Sequence, residues 1–504
     1  MNDLSQMSEN GNPHAVIIGA GFGGLAAAIR LGARGYRVTV IDRLDQPGGR
    51  ARVFKQDGFT FDAGPTIVTA PFLFEELFDL CGERMEDHVT LKPLSPFYTV
   101  RFHDGTELRY SADTEFMKAE IARFNPDDVA GYERLLKESR RCYEIGFVKM
   151  VDKPFHTLAR MASAVPDLLQ TRAYRSIYSM VSKHIKDERL RQAFSFHPLF
   201  IGGNPMRASS MFGLILHLEK EAGVHYAMGG TNTLARALVT LIEKQGGTVR
   251  YETEADEILT ANNLAHGVRL TDGETLYADI VVSNADAAWT HAKLLPKGKR
   301  WTPAKLARAD YSMGLFVWYF GTNRQFEDVP HHTIMMGPRY GPLLTDIFDK
   351  RILADDFSLY LHRPTATDPS MAPEGCDAFY VLSPVPNLDS DVDWSVEAEP
   401  YRQKIEAHLE ATVLPGLKDS VISSRLLTPP DFERDYLSYN GAGFSFEPQI
   451  TQIAWFRPHN ISEEVRNLYL VGAGTHPGAG VPGVIASAKI LDELVPEAAS
   501  LASA

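Results

Sequence analysis

The sequence predicts an α/β protein: a parallel sheet covered by helices and built from separated segments, a mixed or antiparallel second sheet, and a helical subdomain. Three observations carry this. Residues 14–42 read as strand, glycine turn, helix and strand, an order that points to parallel pairing with a right-handed crossover. Short apolar strands of the same kind recur far downstream, at 248–253, 279–284 and 467–471. Between residues 296 and 454, strand-like stretches such as Leu315-Phe316-Val317-Trp318-Tyr319-Phe320 are separated by many Pro and Gly turns, as in a largely antiparallel sheet.

Along the chain, Ala15-Val16-Ile17-Ile18 is an apolar run that ends in glycine, and 25–35 carries Ala and Leu at helical spacing with Gly35 as a stop. Arg37-Val38-Thr39-Val40-Ile41-Asp42 is the second strand. Residues 230–244 read as a helix stopped by Gly246-Gly247, with strands at 248–253 and 255–259 after it. Asp272-Gly273 joins 266–271 to 275–277 as a hairpin. Near the end, a Gly/Pro-rich loop follows Val471, and a helix is expected over 484–494.

Grouped by character, residues 13–75, 225–295 and 455–504 form one discontinuous α/β domain, and 76–140 with 296–454 form a substrate-binding domain. Residues 141–224 are mostly helical, basic and rich in Phe and Tyr.

A chain of 504 residues with 44% hydrophobic and 23% charged residues is globular in composition, with length for roughly three domains. Cys81, Cys142 and Cys376 are far apart and form no CxxC pair, so neither a disulfide framework nor a metal site is expected. The first thirteen residues are polar and read as a disordered tail, not a targeting peptide. No apolar run reaches the roughly 18 residues a membrane span needs. A net charge of -13 argues against nucleic acid as a partner. Residues 149–186 depart from this balance, with seven Lys/Arg against two Asp. That segment, with its aromatic residues, predicts contact with an anionic lipid surface. The cations are Lys153, Arg160, Arg172, Arg175, Lys183 and Lys186; the apolar side chains are Phe155, Met161, Leu168, Leu169, Tyr174 and Tyr178. The expected location is the cytoplasmic face of a membrane, bound peripherally.

Four motifs carry chemistry. Gly19-Ala20-Gly21-Phe22-Gly23-Gly24 follows a strand and opens a helix. Its glycines allow a tight turn, a close approach to pyrophosphate and close helix–strand packing. Asp42, eighteen residues after Gly24, suits ribose hydroxyls and would repel a 2′-phosphate. Pro47-Gly48-Gly49-Arg50 adds a second backbone approach and a cation; no nicotinamide enzyme requires it, so the dinucleotide is read as FAD. Phe61-Asp62-Ala63-Gly64-Pro65-Thr66 is either an ordinary turn or a place for a flat ring to lie against the main chain. The run from Val471 through Gly474, His476, Gly478, Gly480 and Gly483 to Val484 leads into a helix. Its positive end suits the charge a flavin acquires on reduction. His476 reads more readily as a loop histidine bonded to backbone than as a catalyst.

Together these motifs resemble those of FAD-dependent amine oxidase-like flavoproteins, and among them the bacterial-type phytoene desaturases, which dehydrogenate a C40 carotenoid. The resemblance is nearly full-length. It includes Gly58-Phe59-Thr60-Phe61-Asp62-Ala63-Gly64-Pro65-Thr66, Arg191-Gln192-Ala193-Phe194-Ser195-Phe196-His197, Gly202-Gly203-Asn204-Pro205, Phe357-Ser358-Leu359-Tyr360-Leu361-His362 and Ala454-Trp455-Phe456-Arg457-Pro458-His459-Asn460. It implies a Rossmann-like FAD-binding domain with non-covalent FAD. The implied contacts are Gly19, Ala20, Gly21, Gly23, Gly24, Asp42, Arg43, Gly48, Gly49, Arg50, Gly64, Pro65, Thr66, Ala255, Gly474, Gly483 and Val484. Relatives often have Glu where this chain has Asp42. Some also place an Asp and an Arg before Pro166, where this chain reads Arg160-Met161-Ala162-Ser163-Ala164-Val165, so no catalytic acid or base is assigned. The implied substrate is phytoene, with neurosporene, lycopene or a longer polyene as product. Electrons would leave to an external quinone or oxygen. A sibling carotenoid desaturase, ketolase or isomerase is an alternative. An amine oxidase is a further alternative, though a covalent flavin link to a cysteine near the C-terminus is excluded, since no cysteine follows Cys376. A non-catalytic prenyl-lipid carrier would lack the flavin motifs.

Overall fold

The computed structural model describes residues 11–296, 298 and 300–502; the first ten residues of the expected tail lie outside them. The first strand, β1 (His14–Ile18), pairs in parallel with β2 (Arg37–Ile41) across the helix α1 (Phe22–Ala33). On the far side of β1 lie Ile280–Ser283 and then Leu468–Leu470, and beyond β2 lies Thr248–Arg250. Every neighbour in this five-stranded sheet is parallel.

Strand alternation divides the side chains between two layers. Ala15, Ile17, Val38, Val40, Ile280 and Val282 face a helical core with α1, Asn232–Lys244 and Val481–Lys489. Val16, Ile18, Ile41 and Val281 face the opposite way. There they meet Ile258, Val268 and Leu270 of a separate three-stranded antiparallel sheet, Ala255–Ala261, Leu264–Leu270 and Thr275–Tyr277. The Asp272-Gly273 hairpin thus forms a layer of its own over the parallel sheet.

Two helices begin earlier than their periodicity suggests. α1 starts at Phe22 and includes Gly23 and Gly24, where Gly19, Asn284 and Gly472 leave no room for a Cβ. The C-terminal helix starts at Val481 instead of 484, with Pro482 in its first turn, where a missing N–H costs nothing.

The second sheet has seven strands, in the order Val421–Leu427, Gly314–Thr322, Asp377–Val385, Leu359–His362, His332–Met335, Tyr98–Arg101, Glu107–Tyr110. It is antiparallel apart from the pair joining His332–Met335 to Tyr98–Arg101. In its long strand Phe316, Trp318 and Phe320 pack under the helix Trp394–Thr412, whereas Leu315, Val317 and Tyr319 face the largest core. That face forms one wall of a cavity, and helices of residues 141–224 form another.

In this helical region the expected cations are largely paired. Arg175 and Lys183 bind Glu138, Lys186 binds Asp127, Arg160 binds Glu493, and Lys153 meets Asp152. Among the expected apolar contacts, Phe155 is buried, Met161 and Leu168 pack inward, and the Tyr178 hydroxyl donates to Glu188. Leu169 and Tyr174 are exposed, together with Val148, Leu158 and Val165, which were not among the expected apolar contacts.

Candidate active site

At the C-terminal end of β1, Gly19 adopts φ +98° and its N–H donates to the Ile41 carbonyl at 2.7 Å. A Cβ on Gly24 would lie 2.0 Å from the Gly19 carbonyl oxygen, and one on Gly23 would lie 2.6 Å from Asn284 Oδ1. Asp42, at the end of β2, accepts N–H bonds from Ala20 at 2.6 Å and Leu44 at 2.8 Å. Burial raises its carboxyl above the usual range, and these two N–H groups draw it back. The second glycine pair packs on the first loop: Gly48 donates to the Ala20 carbonyl at 2.8 Å, and both Gly48 and Gly49 have positive φ.

Arg50 follows directly. Its Nη2 donates to Ser438 Oγ at 2.5 Å, while its Nε is buried with no partner among the described residues. Burial pulls the guanidinium down from its ordinary value, and the Asp286 carboxylate opposes this. Gly64 fits against the Arg50 main chain, where a Cβ would lie 2.5 Å from its carbonyl oxygen. Residues 253–255 run beside Asp42, with the Thr253 N–H on the Asp42 carbonyl at 2.8 Å.

These pieces border one cavity of about 550 Å³. Gly19, Gly21, Gly23, Asp42, Arg43, Gly48, Gly49, Arg50, Gly64, Pro65, Thr66, Ala255, Gly483 and Val484 all line it. Ala20, Gly24 and Gly474 lie behind its wall. The Ala20 N–H is taken by Asp42, and Gly24 and Gly474 allow backbones to close, the latter with Ala287 Cβ 2.5 Å from where its own would be. Arg43 lines the cavity but binds Glu254 and the carbonyls of Arg434 and Asp435, clamping two elements together. The helix at Val481 presents its first turn to the same space. His476 also reaches the wall; its Nε2 lies 3.3 Å from the Met150 carbonyl, and burial lowers it to about 4, so it is neutral.

From this glycine-lined end the cavity continues between the second sheet and the helical region, past Phe155, Leu168, Phe200, Met211, Leu315 and Ile334. Several residues there escaped the sequence reading. Asn284 and Asp286 follow a strand that only the sheet order places beside β1. Thr66 Oγ1 lies 2.5 Å from the Tyr360 hydroxyl, which lies 2.7 Å from His332 Nδ1. Behind them His331, His332 and His362 are buried with one ring nitrogen each within 4.8 Å of the others. Only His362 lay in a segment that the resemblance singled out, and strand pairing sets His332 opposite it.

A family model for flavin containing amine oxidoreductases matches residues 22–490. A neurosporene-forming phytoene desaturase of Cereibacter sphaeroides is 53% identical over 492 residues, 96% of this chain and 95% of that protein. A lycopene-forming one of Pseudescherichia vulneris is 48% identical, covering 96% and 99%. The chain belongs to the bacterial-type phytoene desaturases. Among solved structures, an oxidoreductase from Methanosarcina mazei (18% identity, TM-score 0.63, 95% of this chain and 100% of that one) shares the fold. So does a putrescine oxidase variant at 12% identity, TM-score 0.62, covering 97% and 98%. The cofactor of this phytoene desaturase-type chain is FAD. The residues fit it: a double glycine loop where a Cβ at Gly23 or Gly48 would meet protein atoms at 2.6 and 2.8 Å, a buried carboxylate beside it, and a buried arginine nitrogen without a partner among the described residues.

Proposed function

We propose that this protein dehydrogenates phytoene with FAD, adding successive C=C bonds to give neurosporene, lycopene or a longer polyene. The observation that carries this reading is the single cavity, which joins the glycine and Arg50 end to a long apolar passage. A hydrocarbon offers no polar handle, so shape and apolar walls must place the reacting bond. FAD supplies a hydride acceptor when bound. Toward it, the Gly19–Gly24 loop and Gly48-Gly49 would offer close backbone, Asp42 would accept from ribose hydroxyls, and Arg50 would add positive charge. The first turn of the helix at Val481 would favour electron density placed against it. The apolar lining keeps water from competing for hydride or cation. The electrons then pass to an external quinone or oxygen.

The helix Leu158–Gln170 supports a membrane as the source of substrate. Ala164 and Leu168 on its inner side line the cavity, while Leu158, Val165 and Leu169 are exposed on its outer side. Such a helix can rest in a lipid surface and open directly to the passage. No described helix is long and apolar enough to cross a membrane. The test is to incubate the FAD-loaded protein with phytoene in liposomes and read the product's absorption. A red-shifted polyene is expected, and its absence would overturn the reading.

A further inference from the structure

Five acidic residues line the cavity: Asp42, Glu219, Glu254, Asp286 and Asp435. Four belong to the glycine-lined end. There Asp42 is held by main-chain N–H groups, Glu254 binds Arg43, Asp435 binds Arg52, and Asp286 faces Arg50. Glu219 is different. It projects from Leu214–Ala222 beside Leu214, Ile215 and Leu218, among the apolar lining residues, with its side chain only 1% exposed. No Lys or Arg pairs with it among the described residues. The Tyr98 hydroxyl donates to its Oε1 at 2.7 Å, and His197 Nε2 lies 3.1 Å from its Oε2. Each carboxylate oxygen accepts two hydrogen bonds, so both retain a free acceptor site.

A buried carboxylate with no Lys or Arg partner is costly in an apolar wall. It becomes favourable when positive charge appears opposite it, because attraction is strong where water is excluded. Removing a hydride from a hydrocarbon creates such a charge. We propose that Glu219 opposes the cation that develops on the polyene and takes up the proton that completes each double bond. In this step one C–H bond breaks and both its electrons leave with hydrogen as hydride to the flavin. The neighbouring C–H bond then breaks; its electron pair becomes the second bond of the new C=C, and its proton goes to the Glu219 carboxylate. Tyr98 and His197 are positioning residues that fix the two oxygens. Burial together with the charge of Glu219 holds the Tyr98 phenol well above its usual value, so it stays a neutral donor.

This inference rests on the reading of the protein as a hydrocarbon dehydrogenase. It is tested on the FAD-loaded protein by equilibrium binding of an isoprenoid whose chain carries a protonated tertiary amine, against the isosteric hydrocarbon, followed by flavin absorbance. The wild type should bind the ammonium compound at least about tenfold more tightly. Glu219→Gln, which keeps the Tyr98 hydrogen bond and removes the charge, should lose that preference, and Glu219→Asp should retain part of it. With phytoene in liposomes, Glu219→Gln should lower kcat by about 100-fold or more with KM little changed, the scale of a lost proton acceptor. Absence of ammonium preference in the wild type overturns the proposal whether or not the variant folds, as does a Gln variant with wild-type kcat. A wild type that converts no phytoene overturns the functional reading itself.

Discussion

Among single residues, the glycines show how far local chemistry carries. Gly24 sits inside α1, where alanine would ordinarily favour the helix by about 1 kcal/mol. Here the added Cβ would lie 2.0 Å from the Gly19 carbonyl oxygen, a main-chain atom that cannot swing away. Gly24→Ala should therefore destabilise by about 1–3 kcal/mol through overpacking and spread the loop where FAD lies. Flavin absorbance per protein should fall several-fold on purification, and full flavin content would contradict this. Gly24 was legible from its motif, and within that motif the Ala20 N–H donates to Asp42. Asn284 was not legible at all: it presses on Gly19, Gly21, Gly23 and Gly24 from a strand more than 250 residues away, through pairing that no local pattern contains.

The helix Leu158–Gln170 is where composition and structure diverge. Its segment stood out for excess positive charge, but most of those cations are neutralised by Glu138, Asp127, Glu493 and Asp152. Beside the outward cations stand apolar side chains: Leu158 is 66% exposed, Leu169 61% and Tyr174 66%. Lipid affinity at this element should thus come chiefly from apolar burial. The double substitution Leu158→Glu with Leu169→Glu should abolish co-sedimentation with liposomes while leaving the melting temperature nearly unchanged, since neither side chain supports the core. Undiminished sedimentation would refute this role. Strands fared better than helix ends. Both β1 and the stretch 315–320 were legible as strands, and the packing then divides their side chains between two faces. Helix starts moved by three residues at both glycine loops, since glycine and proline read as breakers until their packing is known.

At the scale of the whole molecule, burial of neutral histidines ties folding to pH. Burial lowers His331 to about 3, and holds His332 and His362 well below their ordinary value of 6.5. Between pH 3 and 6.5 the unfolded chain therefore binds protons that the native His331 does not. Its contribution is full above pH 6.5 and is lost as pH falls toward 3. Asp62 acts in the opposite sense: burial raises it to about 7, so its contribution weakens as pH rises from about 4 to 7, offsetting one histidine. His331→Asn should reduce the protons taken up on unfolding between pH 4 and 6 by about one, read from the slope of unfolding free energy against pH. An unaltered slope would exclude this coupling.

By itself the sequence determined the α/β class, the glycine and Asp42 chemistry of the dinucleotide end, and the kinship that names the hydrocarbon. These depend on neighbours along the chain, or on strings of residues that keep their identity wherever they fold. Only the tertiary structure decided which strands adjoin β1, that the Asp272-Gly273 hairpin is a separate layer, and that 98–110 shares a sheet with 314–427. It also decided which charges are cancelled and which carboxylate on the apolar wall has no Lys or Arg partner among the described residues. The reason is that pairing and burial are set by contacts between residues far apart in sequence, and the cost or benefit of a charge depends on what that packing removes from water.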